Sequence, residues 1–320
     1  MNSITKKRTE MRDAFAEILV ELGLKYEKML FLDADLHTST KASEFKKRFP
    51  DRFIQNGIAE QNMFGVAAGL AFEGFIPVPS TFAVFASRRA LDQIAISICY
   101  PNLNVKIPGS YVGIPTSRAG ASHNSIEDIA IMRSMPNMKV ADPCSSNDLK
   151  AIMRKAMETN GPVYWRISRY ELPEIFEDEH SFEWGKGVVI SEGSDVTLFG
   201  TGIMTDFNIR AAKLLAEENI MAEVIHLASI KPIDREMIIQ SVLKTGCAVT
   251  AENASINGGF GDAVLEVLAE EHAVPAYKIG VRDKFIESGG IEELFSIHKM
   301  QPTDIGNAAK QVIKKKFENI

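Results

Sequence analysis

The sequence predicts an α/β protein of two parallel-sheet domains, and three observations carry that prediction. Short apolar runs alternate with helical segments along the chain, the pattern of strand–helix crossovers in sheets covered on both faces. The alternation breaks over the acidic, aperiodic stretch ELPEIFEDEHSFEWGKG at 171–187 and then resumes. A chain of 320 residues has room for two domains of ordinary size. The predicted division is a first domain over 1–172, a linker over 173–187 and a second domain over 188–320.

In the first domain, Thr9–Leu22 has helical apolar spacing, with Thr9 as a possible cap. A strand at Met29–Leu32 ends in the acidic turn DADLHTST. The segment 61–72, QNMFGVAAGLAF, is apolar almost all round and predicts a buried helix. A strand at Phe75–Val78 follows, with Ser80 or Thr81 as cap of the next helix. Strands are predicted at Asn104–Ile107, Met138–Ala141 and Val163–Ile167, and helices at Ser125–Met132 and Ser146–Glu158. Between them, 108–122 is a loop rich in Gly, Pro, Ser and Thr. In the second domain the strands are Val196–Phe199, Ala222–His226 and Cys247–Ala251. Its helices are Ile209–Glu218, Arg235–Thr245 and Gly261–Glu271.

Composition excludes several classes. A net charge of −6 argues against nucleic acid and anionic membranes as main partners, though a pocket with two or three cations can still take an anionic substrate. The three cysteines, Cys99, Cys144 and Cys247, are far apart and suggest neither a disulfide framework nor a zinc site. His37, His180, His226, His272 and His298 show no metal-ligand spacing. The opening segment MNSITKKRTEMRDAF has no apolar core of a signal peptide, and no apolar run approaches a membrane span. A cytoplasmic protein is the expectation.

Four features could carry chemistry. Glu60, in GIAEQN, opens an otherwise small and apolar helix; it reads either as a partner of the helix dipole or as a desolvated carboxyl able to hold a proton. Phe82 and Phe85, three apart, would share one helix face, as core or as a wall for a flat ring. His123 ends the loop SRAGAS after a strand, where open α/β sheets bind ligands. Arg12, Ser39 and Arg169 are candidate binders of an oxyanion, each ordinary when taken alone. Gly258-Gly259-Phe260-Gly261 lacks the spacing of a dinucleotide loop and reads as a helix start.

Together, and in this order, these segments resemble the pyrimidine-binding and C-terminal domains of transketolase. NGIAEQNMFGVAAGLA resembles the segment of the family's catalytic glutamate, which implies that role for Glu60. PSTFAVF resembles the segment that stacks on the cofactor's aminopyrimidine, implying Phe82 and Phe85. GASHNSIEDIAIMR resembles the loop of the substrate-facing histidine, implying His123. DADLHTS resembles a turn that gives Asp35 a place on the cofactor side and Ser39 one on the phosphate. Arg12 and the Arg169 of GPVYWRISR fall where the family places phosphate arginines.

The resemblance implies a thiamine diphosphate enzyme that transfers a two-carbon ketol unit from a ketose phosphate to an aldose. The family's GDG motif with its later Asn, which binds magnesium and diphosphate, does not occur in the 320 residues. The implication is a split transketolase in an α2β2 heterotetramer. Its N-terminal subunit would carry the diphosphate with Mg2+ or Ca2+, and the site would lie between subunits. One stretch departs from the family. Where transketolases read Glu-Asp-Gly-Pro-Thr-His, this chain reads Arg118-Ala119-Gly120-Ala121-Ser122-His123. An acceptor is lost at Ala119, Arg118 replaces the neighbouring acid, and a further family histidine falls near Tyr111. Arg118 therefore joins the candidate substrate binders, and the expected donor is an anionic ketose other than the usual pentose phosphates: altered in stereochemistry, branched, or carrying a sulfonate. Alternatives are the beta subunit of a 2-oxo acid dehydrogenase E1 component, 1-deoxyxylulose phosphate synthase, and a non-catalytic binding subunit.

Overall fold

The computed structural model describes residues 8–177 and 180–318. The opening seven residues of the N-terminal segment, and Asp178 and Glu179 of the acidic linker, lie outside them.

Two sheets form the frame. The first has seven strands in the spatial order Ser229–Lys231, Lys139–Ala141, Val163–Ile167, Lys106–Ser110, Ile76–Phe82, Met29–Asp33 and Phe53–Gln55. Six of these run parallel. The seventh, Ser229–Lys231, comes from the second half of the chain and pairs antiparallel with Lys139–Ala141. The second sheet has the order Ala276–Val281, Ala248–Ser255, Val196–Gly200, Ala222–His226 and Val188–Ser191, parallel except at the last strand. The parallel strands Met29–Asp33, Lys106–Ser110, Val163–Ile167, Val196–Gly200 and Ala222–His226 are buried throughout, as strands covered by helices on both faces must be.

Local expectations fail in instructive places. Thr9 caps no helix. It lies in a short strand, Arg8–Glu10, paired with Glu171–Pro173, and its hydroxyl donates to Glu174 Oε1 at 2.8 Å. The helix begins at Met11 and buries Met11, Ala14, Phe15, Ile18, Leu19 and Leu22, a stripe of helical period. Ser80 and Thr81 are buried within the strand Ile76–Phe82, so neither starts a helix. The apolar helix Glu60–Phe72 is buried on one face only. Its other face exposes Gln61, Asn62, Gly65, Gly69 and Phe72, with Phe72 79% exposed. Ile58 and Tyr100 are also largely exposed.

The halves are joined through Arg166. This guanidinium, fully buried on the strand Val163–Ile167, donates to Asp128 Oδ2 (2.8 Å), Asp142 Oδ2 (2.8 Å) and the carbonyl of Asn253 (3.0 Å). Tyr164 adds its hydroxyl to Asp128 Oδ2 at 2.7 Å. Burial alone would lower the guanidinium's pKa, but Asp128 and then Asp142 hold it above its ordinary value. Burial raises that of Asp142, against the pull of Arg166.

The Gly258–Gly261 segment is a helix start, and the anion at its N-terminus is internal. Glu252 accepts the backbone N–H groups of Phe260 and Gly261, both at 2.8 Å. A side-chain carbon on Gly259 would strike Glu252, so the carboxylate fills the cradle that a ligand phosphate would need. Burial raises the Glu252 pKa from 4.5 to about 7, the two N–H groups opposing it only in part. The folded state thus holds this proton more tightly than the unfolded chain. The resulting stabilisation is complete below about pH 4.5 and is lost as the pH rises through about 7, about 3 kcal/mol in all. Urea unfolding of wild type and Glu252→Gln across that window should show the wild type losing ground with rising pH. A difference that stays constant with pH would refute the assignment.

Candidate active site

The candidate residues lie at the carboxyl ends of the parallel strands, where open α/β sheets bind ligands. Asp33 ends its strand fully buried and organises the turn that follows. Its carboxylate accepts the N–H of Leu36 (3.1 Å) and the Nε2 group of Gln55 (2.8 Å), and His37 Nδ1 lies 3.3 Å away. Gln55 Oε1 in turn accepts the N–H groups of Asp35 and Gly57, which ties the acidic turn to the approach to Glu60. Asp35 sits at φ 62° with its side chain exposed and bonded to no described residue. Asp33 is the residue that holds the turn together.

Glu60 is 1% exposed at the start of its helix, as its place in the sequence predicted. It is not alone there. Arg89 NH1 donates to Glu60 Oε2 at 2.8 Å, and the same guanidinium lies over the Phe85 ring, 4.3 Å from its centroid. Phe82 and Phe85 do not share a helix face: Phe82 ends a strand and Phe85 begins a wide π-type turn, Phe85–Arg89. Their rings nevertheless stack, with centroids 5.8 Å apart. His123 stands edge-on to Phe85 at 5.5 Å and to Phe82 at 6.1 Å, with its Nδ1 2.9 Å from Ser122 Oγ. Phe82, Phe85 and His123 therefore form one aromatic patch, and Arg89 links it to Glu60.

A cationic cluster adjoins it through Tyr111. This side chain is buried, stacks on Phe82 at 4.0 Å, and sits at φ 63°, a costly backbone conformation for an aromatic residue and one that concentrates at functional sites. Arg169 lies over its ring at 4.6 Å. Arg12 NH1 donates to the Tyr111 hydroxyl (3.1 Å) and to the carbonyl of Ser39 (2.9 Å). The rest of the Arg12 fork goes to Glu10 Oε2, at 2.6 and 3.1 Å. Lys41 reaches the same carboxylate oxygen at 3.5 Å. Arg12, Ser39 and Arg169, far apart in the chain, are thus gathered round one tyrosine. Beside them, Arg8, Glu10, Ser117, Arg169, Tyr170 and Glu292 line a cavity of about 390 Å³. Arg118 is exposed, and its side chain makes no hydrogen bond or ion pair among the described residues.

The second half of the chain positions this site. Asn253 Oδ1 accepts the N–H of Ile114 at 3.0 Å, and its Nδ2 group points at the Val112 carbonyl, 3.4 Å away. Gly113, at φ 58°, lies so close that any side-chain carbon would strike Asn253. Ser117 donates to the carbonyl of Gly289 at 3.2 Å. Sequence reasoning found neither Arg89 nor Asn253, and no spacing signal marks either of them.

Residues 7–174 match the transketolase pyrimidine-binding domain, and residues 185–305 match the transketolase C-terminal domain. The chain is 41% identical over 306 residues to the 6-deoxy-6-sulfo-D-fructose transketolase subunit of a Clostridium species, covering 96% of this chain and 95% of that one. It is 32% identical to an apulose-4-phosphate transketolase subunit of Phocaeicola vulgatus, covering 95% and 97%. Among solved structures, a split gene transketolase in the form of an inactive beta4 tetramer superimposes with a TM-score of 0.90 at 47% identity, covering 96% of this chain and 99% of that one. Among the described residues, no helix is long and apolar enough to cross a membrane.

Tyr111 is the joint between the aromatic patch and the cationic cluster. Tyr111→Ala should cost about 3 kcal/mol through lost packing, read from urea unfolding. Tyr111→Phe keeps the stacking and should cost about 1 kcal/mol, the worth of the hydroxyl's hydrogen bond. Equal losses in the two variants would mean that the ring does not carry the joint.

Proposed function

Since the chain belongs to the transketolase family by its pyrimidine-binding and C-terminal domains, we propose that it works with a second subunit to transfer a two-carbon ketol unit from an anionic ketose to an aldose. Thiamine diphosphate is the cofactor of that reading, and it would supply the electron sink that ketol cleavage needs. The observation that carries the reading is the Arg89 guanidinium. It is flat, it lies over the Phe85 ring and it donates to the buried Glu60 carboxylate. A planar aminopyrimidine stacked on Phe85, with a ring nitrogen toward Glu60, meets the same two demands. The residues present fit that ring.

Glu60 would hold a proton at its Oε2, shielded from water by its burial. Phe85, with Phe82 behind it, would fix the ring plane. Asp35 would stand on the cofactor side of its turn. His123, on the rim of the aromatic patch, would donate to or accept from substrate hydroxyl and carbonyl oxygens. Arg12, Ser39 and Arg169 would hold the anionic end of the sugar, Arg12 exchanging its Glu10 partner for the substrate. Arg118, free of partners among the described residues, is available to the same substrate.

The partner's task is the diphosphate with its Mg2+ or Ca2+, for which the 320 residues hold no Gly-Asp-Gly motif. The exposed face of the helix Glu60–Phe72, with its glycines and Phe72, is where this chain would meet another. The α2β2 heterotetramer is the expected assembly, and a mass measurement of the active complex checks it. A beta4 tetramer of a related protein is inactive, which suits a chain that needs a different partner. One relative is named for a sulfo sugar and another for a sugar phosphate. Both suit an anion pocket, and a sulfonated or branched ketose fits the exchange of a carboxylate for Arg118.

This chain alone should show no ketol transfer, and mixing it with its partner subunit should restore it. In the reconstituted pair, Glu60→Gln should lower kcat by at least about 10²–10⁴-fold while the complex stays assembled. Near-normal turnover would remove Glu60 from the chemistry. Steady-state kinetics on a panel of ketoses tests the substrate. A highest kcat/KM for xylulose 5-phosphate with ribose 5-phosphate would refute the altered-donor reading. An unchanged kcat/KM in Arg118→Ala would take Arg118 out of recognition.

A further inference from the structure

Away from the candidate active site, the fold assembles a second cluster from separate segments. Cys144 precedes the helix Ser146–Glu158, and Asp148 lies in that helix's first turn. His226 ends the strand Ala222–His226 of the second sheet, and His180 lies in the linker. Cys144, Asp148 and His226 are each buried, and one donor atom from each lies within 4.8 Å of the other two. His226 Nε2 is 2.9 Å from Asp148 Oδ2, and His180 Nε2 is 3.4 Å from Asp148 Oδ1. His180 is held in place by stacking on Phe176, with centroids 3.8 Å apart and planes 5° from parallel.

Two further observations point to a ligand. Asp148 Oδ1 is buried and faced by His180 Nε2 at 3.4 Å, a long contact for a hydrogen bond. A cavity of about 180 Å³, lined by Asp148, His180, Phe182, Lys186 and His226, opens beside it and gives an entry path. Thr205 Oγ1 lies 2.7 Å from His226 Nδ1. That bond fixes the ring and leaves Nε2 as the ligand, the outer-shell arrangement usual for metal-bound histidines.

We propose that Cys144 Sγ, an Asp148 carboxylate oxygen and His226 Nε2 bind a divalent zinc-type metal ion that clamps the first and the second domain together, with His180 of the linker at the edge of the site. One sulfur, one imidazole nitrogen and one carboxylate oxygen are three of the four ligands such an ion takes, and the cavity beside them leaves the fourth position to water. On binding, the proton on the Cys144 sulfur leaves to solvent, and a neutral His226 moves its Nε2 proton to Nδ1, where Thr205 Oγ1 accepts its hydrogen bond. The ligands come from both halves of the chain, so the ion is structural. No sequence spacing announces it, because its ligands come from distant segments.

The test uses the full chain, purified both alone and with its partner subunit, stripped of metal and titrated with Co2+. A cobalt–thiolate charge-transfer band saturating at one ion per chain is expected, together with a raised melting temperature. Zn2+ should abolish the band by competition. Cys144→Ser should remove it, whereas Cys99→Ser, at another buried cysteine, should keep it. Thr205→Val should weaken binding about 10–100-fold, as loss of outer-shell partners does. Absence of the band in the wild-type chain would overturn the proposal without reference to any variant. A band that survives Cys144→Ser would place the metal elsewhere and overturn it equally.

Discussion

One buried charge sets the geometry of the molecule. Arg166 has no water to turn to, so its five donors must find acceptors within the protein. Asp128, Asp142 and the Asn253 carbonyl are those acceptors, and they lie on different segments of the chain. Asp142 also shares main-chain hydrogen bonds with Ala228 and Gly202. The sheets are therefore held in one relation by an ion network rather than by apolar contact alone. Such a network adds little net stability over an apolar core, but it penalises every other arrangement heavily. Asn253, placed by this network, in turn holds the 112–114 backbone that follows Tyr111.

The strand and helix series was legible because period and composition act locally. Fully buried strands such as Val163–Ile167 and Ala222–His226 stand as the sequence marks them. Errors arose where tertiary pairing overrode a local signal. Thr9 looks like a cap, yet an edge at Glu171–Pro173 draws it into a strand. Ser80 and Thr81 look like caps, yet neighbours at Met29–Asp33 and Lys106–Ser110 extend the strand past them. The helix Glu60–Phe72 looks buried because its composition is that of a core, but composition cannot say whether the second face meets this chain or another.

The candidate site was legible in part for a different reason. Glu60, Phe82, Phe85 and His123 sit in short ordered strings, so their residue types and neighbours carry information together. Arg12, Ser39 and Arg169 do not, and only their convergence on Tyr111 makes them a set. Arg89 was illegible because its meaning lies in two contacts, with Glu60 and with Phe85, that no spacing encodes. The Cys144, Asp148 and His226 cluster was missed on the same ground: ligand spacing rules describe sites built from one segment, and this one draws on several.

The strand Ser229–Lys231 belongs by sequence to one half of the chain and by hydrogen bonding to the sheet of the other. Cutting the gene in the linker would therefore not yield two tidy modules. The first fragment would be left with Lys139–Ala141 as a raw sheet margin, a template for promiscuous pairing and precipitation. The second would carry a short sticky segment with nothing to lie against. Proteolysis or truncation between the halves should thus read as collapse of both, and domain-swapped oligomers are the natural escape for any variant that loosens the joint.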